Sequence, residues 1–393
     1  MGRFSVLIPD VDDDLISIPV AQCLTDAEEI DIHGLSRHKS RSLQLSNLFT
    51  SFDQMDEFAL SGWLRRIDEV VARRRIDIVL PVTDVAIRAL SEHRHVLACA
   101  GKVARLPEPS VFDVATNKAS LALFMKDHDI PHPPTVVLAA GARRSERLST
   151  LAFPVLAKPP FLSGGDGIRR FENAEDLDSF LSRQMKEQEW IIQEFIPGVD
   201  IDVNVLCKDG QIVASTVQHA IASSSTPFSP AIGIEFKYDS VAMDIVKRLI
   251  EQLGWSGIAH IDMRLDARTK IPLVLEINGR YWLTLLGSLR AGVNFPLLAC
   301  EATLGPSASS LQAQTTRYFR GNNSIALSLC GGGRHRIRPS ETDLKYFIRD
   351  PKLYTSLLIT TWIKVYSSRL SGHLRALKQV LTGPRRSNGQ VET

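Results

Sequence analysis

The residues with the clearest chemical potential lie on two segments, 260–265 and 273–280, whose pattern predicts a β-hairpin. Side chains along a strand point alternately to its two faces. One face would carry Met263, Leu265, Leu275 and Ile277, and the other His260, Asp262, Arg264, Glu276, Asn278 and Arg280. If the turn is centred near Thr269, Asp262 lies directly across from Glu276, with Cβ atoms roughly 5 Å apart.

Two carboxylates and an amide held this close form a ligand set for a hard divalent cation. Asp262, Glu276 and Asn278 offer oxygen atoms, the ligands that Mg²⁺ prefers, with water and phosphate completing its coordination. Arg280, two residues beyond Asn278, would offer a forked donor to a phosphate or an acyl phosphate. The alternative is a solvated acidic face. The surrounding Ile, Leu and Val residues instead favour a central hairpin, where acids need partners.

The composition limits the class of protein. The chain has 393 residues, enough for two or three domains, with 44% hydrophobic and 23% charged residues. A net charge of +2 does not support a nucleic-acid-binding protein. Five cysteines without CxxC spacing argue against zinc and against a disulfide framework. No leader pattern precedes the first predicted strand and no apolar run is long enough to span a membrane, so we expect a cytoplasmic protein.

The N-terminal third alternates between strand and helix patterns. The predicted strands are 5–9, 30–35 and 76–82, and the predicted helices are 15–23, 58–73 and 84–97. This alternation predicts a parallel sheet of Rossmann type. The first strand leads into an acidic run, Asp10 to Asp14, and not into GxGxxG, which disfavours dinucleotide binding. Such a run is typical of a helix cap, with a metal site as the alternative.

A change of pattern near residue 110 predicts a domain boundary. Asn117-Lys118 opens an amphipathic helix, 119–128, which the prolines of segment 131–134 end. The pattern from 151 to 310 is typical of a mixed α+β unit, and the chain is less regular from about 311.

A second group of residues could bind phosphate. A short strand ends in Lys158 and leads into the loop Ser163–Gly167, in which three residues are glycine: Gly164, Gly165 and Gly167. Glycine frees the backbone to turn its N–H groups toward an anion, and a preceding lysine adds a point charge. A plain hairpin turn is the alternative.

A buried strand that begins at Trp190 then runs into a turn at Pro197-Gly198 and out into a second strand, 201–207. Its backbone could hydrogen-bond an adenine edge, and Asp200 could bind a ribose hydroxyl. The alternative is a simple connection with a solvated Asp200.

Taken in order, these segments resemble the ATP-grasp superfamily over roughly residues 110–305. The agreeing features are Asn117-Lys118, Lys158-Pro159, Ser163–Gly167, Gln193–Gly198 with Asp200, Asp262, and Glu276–Arg280. The resemblance implies an α/β and α+β fold. A Rossmann-like pre-ATP-grasp domain, 1–110, would precede a two-lobed ATP-grasp domain, 111–310, with its lid lobe at about 140–200. A C-terminal extension, 311–393, would follow.

The resemblance also implies a role for each residue. Lys118 and Lys158 would contact ATP phosphates, and Ser163, Gly164, Gly165 and Gly167 would form the lid over them. Gln193 would lie at the adenine edge, the backbone of Glu194 and Ile196 would bind adenine, and Asp200 would bind ribose. Asp262, Glu276 and Asn278 would hold one or two Mg²⁺ (or Mn²⁺) ions. Arg280 and Lys158 would be catalytic, with Arg280 on the transferred phosphoryl group.

The implied activity is an ATP- and Mg²⁺-dependent carboxylate–amine ligase that forms an amide or peptide bond through an acyl phosphate. Its partners would be a small-molecule carboxylate and an amine. Two positions depart from the family pattern: Gly279 replaces the proline of Asn-Pro-Arg, and Gln193 replaces a common glutamate. Segments 281–286 and 291–296 resemble the carbamoyl-phosphate-synthase-like branch, yet the chain has one grasp unit and no glutaminase region. Alternatives are a non-catalytic ATP-binding sensor or scaffold, and a carbamoyl-phosphate-like or carboxylase-like activity.

Other segments keep two interpretations. His219 could bind a substrate or be an ordinary loop residue, and Arg264 could reach a phosphate or pair with Glu276. Tyr281 and Trp282 could line the pocket or pack in the core. Residues 353–381 predict a basic amphipathic helix, since the segment 351–393 holds seven basic residues and one acid. That helix could lie on a membrane surface, cap the core or form a homodimer contact.

Overall fold

A computed structural model describes the chain except for 1–3, 28–29, 38–42, 44, 56–58, 140–147, 160–166, 185–188, 224–228, 306–310, 331–334 and 360–393. Three of the predicted lid residues, Ser163, Gly164 and Gly165, lie outside the described residues. So does most of the predicted basic helix 353–381, of which the structure describes a helical part up to residue 359. The described residues form three sheets.

The N-terminal sheet is parallel, as predicted. Its strands are β1 (Phe4–Ile8), β2 (Ile30–Ser36), β3 (Ser51–Gln54) and β4 (Ile78–Val79), in the order β3-β2-β1-β4. Its helices are α1 (Asp14–Asp26), α2 (Leu60–Arg74) and α3 (Asp84–His93). Alternate β1 residues enter two separate apolar clusters, Val6 with α1 and Leu7 with α2 and α3. Helices therefore cover both faces of the sheet.

The lid sheet is a small antiparallel unit. Its strands are β5 (Thr135–Leu138), β6 (Val155–Lys158), β7 (Arg169–Phe171) and β8 (Trp190–Glu194), in the order β5-β8-β6-β7, with helix α6 (Ala174–Gln184) against it. Phe180 and Leu181 of α6 pack on Trp190 and Val155 in a separate apolar cluster. The sheet thus has its own core, and its two central strands end at Lys158 and Glu194.

The central sheet is antiparallel along its main path. Its strands are β9 (Gly198–Lys208), β10 (Gln211–Ala222), β11 (Gly233–Phe236), β12 (Gly257–Asp266), β13 (Pro272–Asn278), β14 (Leu311–Gln312) and β15 (Thr316–Phe319). The order is β13-β12-β9-β10-β11-β15, and β14 pairs with β10 in parallel. The surrounding helices are α4 (Pro109–Thr116), α5 (Lys118–Asp127), α7 (Ser240–Leu253), α8 (Leu285–Arg290), α9 (Phe295–Leu304), α10 (Asn322–Cys330) and α11 (Leu344–Arg349).

One face of the central sheet is apolar because α7 covers it. The buried residues of α7 include Val246, Leu249 and Ile250, which join the cluster that contains Val203 and Ile261 of β9 and β12. Three- and four-residue spacing places these α7 side chains on a single helix face. The residues of β9 and β12 that alternate with these point away from α7, and the polar residues of the predicted site lie on that face.

The hairpin of β12 and β13 has the predicted register at its chemical end. Asp262 pairs with Glu276 and His260 with Asn278, but a bulge follows, so that Met263 pairs with Val274. The prediction that Leu275 lies on the core face was wrong. A bulge adds one residue to one strand and shifts the alternation beyond it. Val274 is fully buried in its place, and Leu275 lines a cavity.

Within the described residues, no helix has the length and apolar character needed to cross a membrane. The domain boundaries at 110 and 310, and the lid limits of about 140–200, stay predictions. The fold class is as expected, since a parallel sheet is followed by two antiparallel sheets with helices.

Candidate functional site

A cavity of about 1310 Å³ lies between the lid sheet, the chemical face of the central sheet and the first residues of α1, α2 and α3. The predicted site residues that line it are Lys118, Lys158, Gln193, Glu194, Ile196, Asp200, Asp262, Glu276, Asn278 and Arg280. Gly167 is described with a φ of 73°, and its neighbour Ile168 lines the cavity. The structure thus brings together residues that are up to 162 positions apart, from Lys118 to Arg280.

The predicted metal ligands form one contact group at the end of the hairpin. Asp262 and Glu276 are direct partners across the strands, and the Asn278 amide Nδ2 donates to Asp262 Oδ2 at 2.9 Å. Burial opposes ionisation of Asp262, but the charge of His260 and its hydrogen bond bring the pKa of Asp262 down to about 2. Burial and the charge of Asp262 raise the pKa of Glu276. A bound cation would therefore stabilise this pair of carboxylates.

Two cationic side chains already contact this group. Lys118 Nζ lies 2.8 Å from Glu276 Oε2, and Arg280 Nη2 donates to Asn278 Oδ1 at 3.4 Å. Lys118 is held at the start of α5 because Asn117 caps this helix, its Oδ1 accepting from two backbone N–H groups at 2.9 and 3.0 Å. Arg280 Nε also donates to Asp84 Oδ2, on α3, at 2.8 Å.

Lys158 is buried at the end of β6 and donates to Gln193 Oε1 at 2.6 Å. Gln193 in turn donates to Thr135 Oγ1 at 3.0 Å, which fixes the orientation of its amide. Burial lowers the pKa of Lys158 to about 8, and nearby Lys118 adds to this effect while Glu276 opposes it. A neutral amide at position 193 therefore holds the lysine without neutralising it, so that its charge is available to an anion.

The Glu194 carbonyl, at the end of β8, lies opposite a proline. The Glu194 N–H donates to Pro134 O at 3.0 Å, and proline has no N–H with which to return the bond. Arg264 pairs with Asp200 and donates to Ile196 O at 3.1 Å. The predicted pairing of Arg264 with Glu276 is wrong, since Arg264 pairs with Asp200 and Glu276 with Lys118.

Sequence reasoning missed several residues on β9 and β10. Asp202 faces Asp262 across the β9–β12 pair, and ligand atoms of Asp202, His260 and Asp262 lie within 4.8 Å of one another. Burial and the charge of Asp262 raise the pKa of Asp202 to about 7. The missed signal was the alternation that continues from Asp200 to Asp202 and Asn204, which places three polar side chains on one face.

His260 connects these residues. Its Nε2 lies 2.8 Å from Asp262 Oδ1, and its Nδ1 lies 2.6 Å from Asn204 Oδ1. Its ring stacks on Trp282, with centroids 5.8 Å apart, so Trp282 lines the cavity while Tyr281 is buried in the core. His219 lies within β10 and not in a loop, and its neighbour Gln218 lines the cavity.

The acidic residues at the end of β1 accept hydrogen bonds from neighbouring parts of the chain, and one of them is a helix cap. Asp13 caps α1 by accepting from Leu15 N at 3.0 Å, which confirms the capping interpretation. Asp10 accepts from the Thr83 N–H at 2.7 Å, and burial raises its pKa to about 6. Asp12 accepts from Ser36 Oγ at 2.7 Å.

The segment that carries most of these residues is similar to known proteins. The sequence model of the ATP-grasp domain matches residues 115–284. The D-aspartate ligase of Enterococcus faecium (strain Aus0004) is 28% identical over 191 residues, which cover 44% of this chain and 45% of that protein. The carbamoyl phosphate synthase large chain of Pyrococcus furiosus is 23% identical over 201 residues, which cover 49% of this chain and 19% of that one. The chain thus matches less than half the length of these curated relatives.

Among solved structures, the N5-carboxyaminoimidazole synthetase of Staphylococcus aureus complexed with ADP is similar, with a TM-score of 0.64 and 12% identity. The similarity covers 83% of this chain and 84% of that chain. At this identity the match concerns the fold, and it extends well beyond residues 115–284.

Proposed function

We propose that this chain, in which residues 115–284 match the ATP-grasp domain, is an ATP- and Mg²⁺-dependent carboxylate–amine ligase that forms an amide or peptide bond. The observation that carries the proposal is the contact group of Asp262, Glu276 and Asn278, with Lys118 and Arg280 bound to it. The similarity to a D-aspartate ligase supports the carboxylate–amine class. Localisation in the cytoplasm, membrane contact and a homodimer stay predictions.

The donor set fits a magnesium or manganese ion. Asp262 and Glu276 are adjacent carboxylates, and the Asn278 amide would present its oxygen after a half-turn about its terminal bond. Lys118 now lies against Glu276, which indicates that this position attracts a cation. A divalent ion bound here would neutralise the charge of the terminal phosphates of ATP.

The protein's own cations would bind the rest of the triphosphate. Lys158 ends β6 on one side of the cavity, and Lys118 begins α5 on the other. The planar guanidinium of Arg280 suits two phosphoryl oxygens at once, while each lysine provides a point charge. Together they would stabilise the charge that builds up as the γ-phosphoryl group moves.

The adenine would lie along the strand end after β8. The Glu194 carbonyl, opposite Pro134, suits an exocyclic amine, and the Ile196 backbone follows on the same edge of the cavity. Asp200 would accept a ribose hydroxyl, with Arg264 holding its carboxylate in place.

The proposed reaction has two steps. A carboxylate oxygen of the first substrate attacks the γ-phosphorus, the bond to the β-phosphate oxygen breaks, and ADP leaves. The amine nitrogen of the second substrate then attacks the acyl carbon, the carbon–oxygen bond breaks, and phosphate leaves with its electron pair. The ammonium form of the amine must lose a proton before or during this attack. Transfer of phosphoryl is needed because oxide is otherwise an impossible leaving group.

The test is trapping of the acyl phosphate. Purified protein with Mg·ATP and a panel of small carboxylates is incubated with hydroxylamine, which converts an acyl phosphate to a coloured hydroxamate. We expect hydroxamate and ADP in equal amounts with at least one carboxylate, and neither with the Glu276→Gln variant. Arg268→Gln is the matched control, since this exposed arginine lies on the turn of the same hairpin and outside the cavity lining.

Other results would overturn the proposal. ADP release that needs only bicarbonate would indicate the carboxylase-like activity. Tight ATP binding without turnover across the carboxylate and amine panels would indicate a sensor or scaffold. Wild-type turnover by Glu276→Gln would remove the basis of the proposed metal site.

A further inference from the structure

The mouth of the cavity has an apolar surface that the proposed reaction does not yet use. Leu15, Leu60 and Val85 are 68%, 40% and 69% exposed, and all three line the cavity. Each lies in the first turn of a different helix of the N-terminal sheet: α1, α2 and α3. Exposed aliphatic side chains that converge on one cavity are typical of a binding surface, because each gains free energy when water is displaced.

These three helix starts are tied together at the end of β1. Asp10 accepts from the Thr83 N–H at 2.7 Å, next to α3, and Trp63 of α2 donates to Pro9 O at 2.9 Å. Asp13, three residues beyond Asp10, caps α1 by accepting from the Leu15 N–H at 3.0 Å. The apolar surface formed by Leu15, Leu60 and Val85 is therefore built on a fixed frame.

The apolar surface lies beside the proposed phosphate group. Val85 directly follows Asp84, whose Oδ2 is 2.8 Å from Arg280 Nε. Arg280 in turn contacts Asn278 of the proposed metal site. A molecule on this surface would thus lie next to the reacting end of ATP, where a ligase must hold its second substrate.

The charge around the surface favours a cation over an anion. Four carboxylates line this part of the cavity, those of Asp10, Asp12, Asp13 and Asp84. The guanidinium groups of Arg37 and Arg280 oppose them, and that of Arg280 is already bound to Asp84. An ammonium group is attracted to such a lining, and a substrate with an additional carboxylate is repelled.

We infer that the amine substrate of the proposed ligase carries an apolar side chain, which lies on Leu15, Leu60 and Val85 while its amino group faces the acidic lining. This inference rests on the proposed function and names the class of its second substrate. It predicts a preference for aliphatic or aromatic amines and amino acids over acidic ones.

The experiment measures binding of a homologous series. Ethylamine, butylamine and hexylamine are titrated into the protein with saturating Mg·ADP, by calorimetry, together with leucine and aspartate. We expect the affinity to rise about fourfold for each added methylene group, the factor expected for burial of one such group. We expect leucine to bind at least about tenfold more tightly than aspartate.

Two variants locate the binding surface. Val85→Thr and Leu15→Asn should weaken hexylamine binding about fivefold and leave ethylamine unchanged, since only the longer chain reaches them. The matched controls are Val96→Thr and Leu123→Asn, at residues that are 59% and 54% exposed and outside the cavity lining. All four positions are exposed, so each variant should fold.

The outcomes separate this inference from the proposed function. If Mg·ADP does not bind at all, the proposed function fails. If Mg·ADP binds but affinity does not depend on chain length, or aspartate binds as well as leucine, only the inference is overturned. It is also overturned if Leu15→Asn changes the sedimentation coefficient but leaves the affinity for every amine unchanged, because the surface would then join two copies of the chain.

Discussion

Two acidic regions face the same cavity, and they differ in what holds their carboxylates. On the hairpin, Asp262 and Glu276 contact the side chains of His260 and Lys118, each at 2.8 Å. At the end of β1, Asp10 and Asp13 accept hydrogen bonds from backbone N–H groups. A side chain can rotate away and give up its contact, whereas a backbone N–H is fixed by the turn to which it belongs. The first region can therefore exchange partners, whereas the second keeps its hydrogen bonds and acts on the cavity through its charge.

This difference separates the proposed metal site from a region whose carboxylates are fixed in place. Both regions carry carboxylates, and the sequence of the second, Asp10 to Asp14, is the more acidic. Yet Asp10 and Asp13 commit their oxygens to backbone N–H groups, while the hairpin acids remain within reach of a divalent ion and phosphate. The ion pair of Arg280 with Asp84 connects the two regions, because Asp84 directly follows Thr83, whose N–H donates to Asp10.

The largest effect is expected at the hairpin. Glu276→Gln removes one charge from the proposed metal site and should lower kcat/KM for ATP about a thousandfold, the scale of losing a major electrostatic contact to the transition state. Steady-state assays of ADP release measure it. A loss under tenfold, with magnesium dependence unchanged, would place the ion elsewhere.

The connection between the two regions should give the next largest effect. Arg280→Lys should reduce kcat about a hundredfold, because an ammonium cannot replace a planar fork, with a smaller change in KM for ATP. Asp84→Asn should reduce kcat about tenfold by releasing the guanidinium. If Asp84 acts through Arg280, the double variant is no worse than Arg280→Lys alone. Additive losses would mean that Asp84 acts on the substrate independently.

A pH effect is expected from Lys158 and should be smaller. Its pKa is lowered to about 8 by burial, so the free protein loses this proton as pH rises through that value, while bound phosphate favours the protonated form. ATP affinity should then fall about eightfold between pH 7.5 and pH 9. Lys158→Arg stays charged and should abolish this slope. A wild-type affinity that is flat over the same range would contradict the assigned phosphate contact.

The smallest effect is expected at the cap of α1. Asp13→Ala removes the acceptor for the Leu15 N–H and should lower the free energy of unfolding by about 1 kcal/mol. Asp13→Ser keeps a capping oxygen and should leave stability nearly unchanged. Urea unfolding followed by circular dichroism measures both. Equal stability of the two variants would show that the cap contributes nothing.

The hairpin could be predicted because its information is local. Alternation of polar and apolar residues fixed the chemical face and the pairing of Asp262 with Glu276, and the structure has both. The bulge after this pair was not predictable, since no sequence signal marks it; it leaves both Met263 and Val274 buried in the core. Leu275 was therefore assigned to the wrong face.

Residues brought in from other elements were harder to predict. The contact of Asp84 with Arg280 joins positions 196 apart in the chain, and no periodicity links them. Asp202 was within reach of pattern reasoning, because it alternates with Asp200 on β9, but its place opposite Asp262 depends on strand order. The short strand β3 was missed in the same way, since its Ser-Phe-Asp-Gln sequence has little strand character.

The most direct measurement is a titration of Mn²⁺ in the presence of ADP, in which electron paramagnetic resonance monitors binding of the ion. We predict that wild-type protein binds Mn²⁺, that Glu276→Gln weakens this binding at least about tenfold, and that Asp13→Ser leaves it unchanged. If Glu276→Gln binds Mn²⁺ as tightly as the wild type, or if Asp13→Ser loses the ion instead, the hairpin acids are not the metal ligands and the account is contradicted.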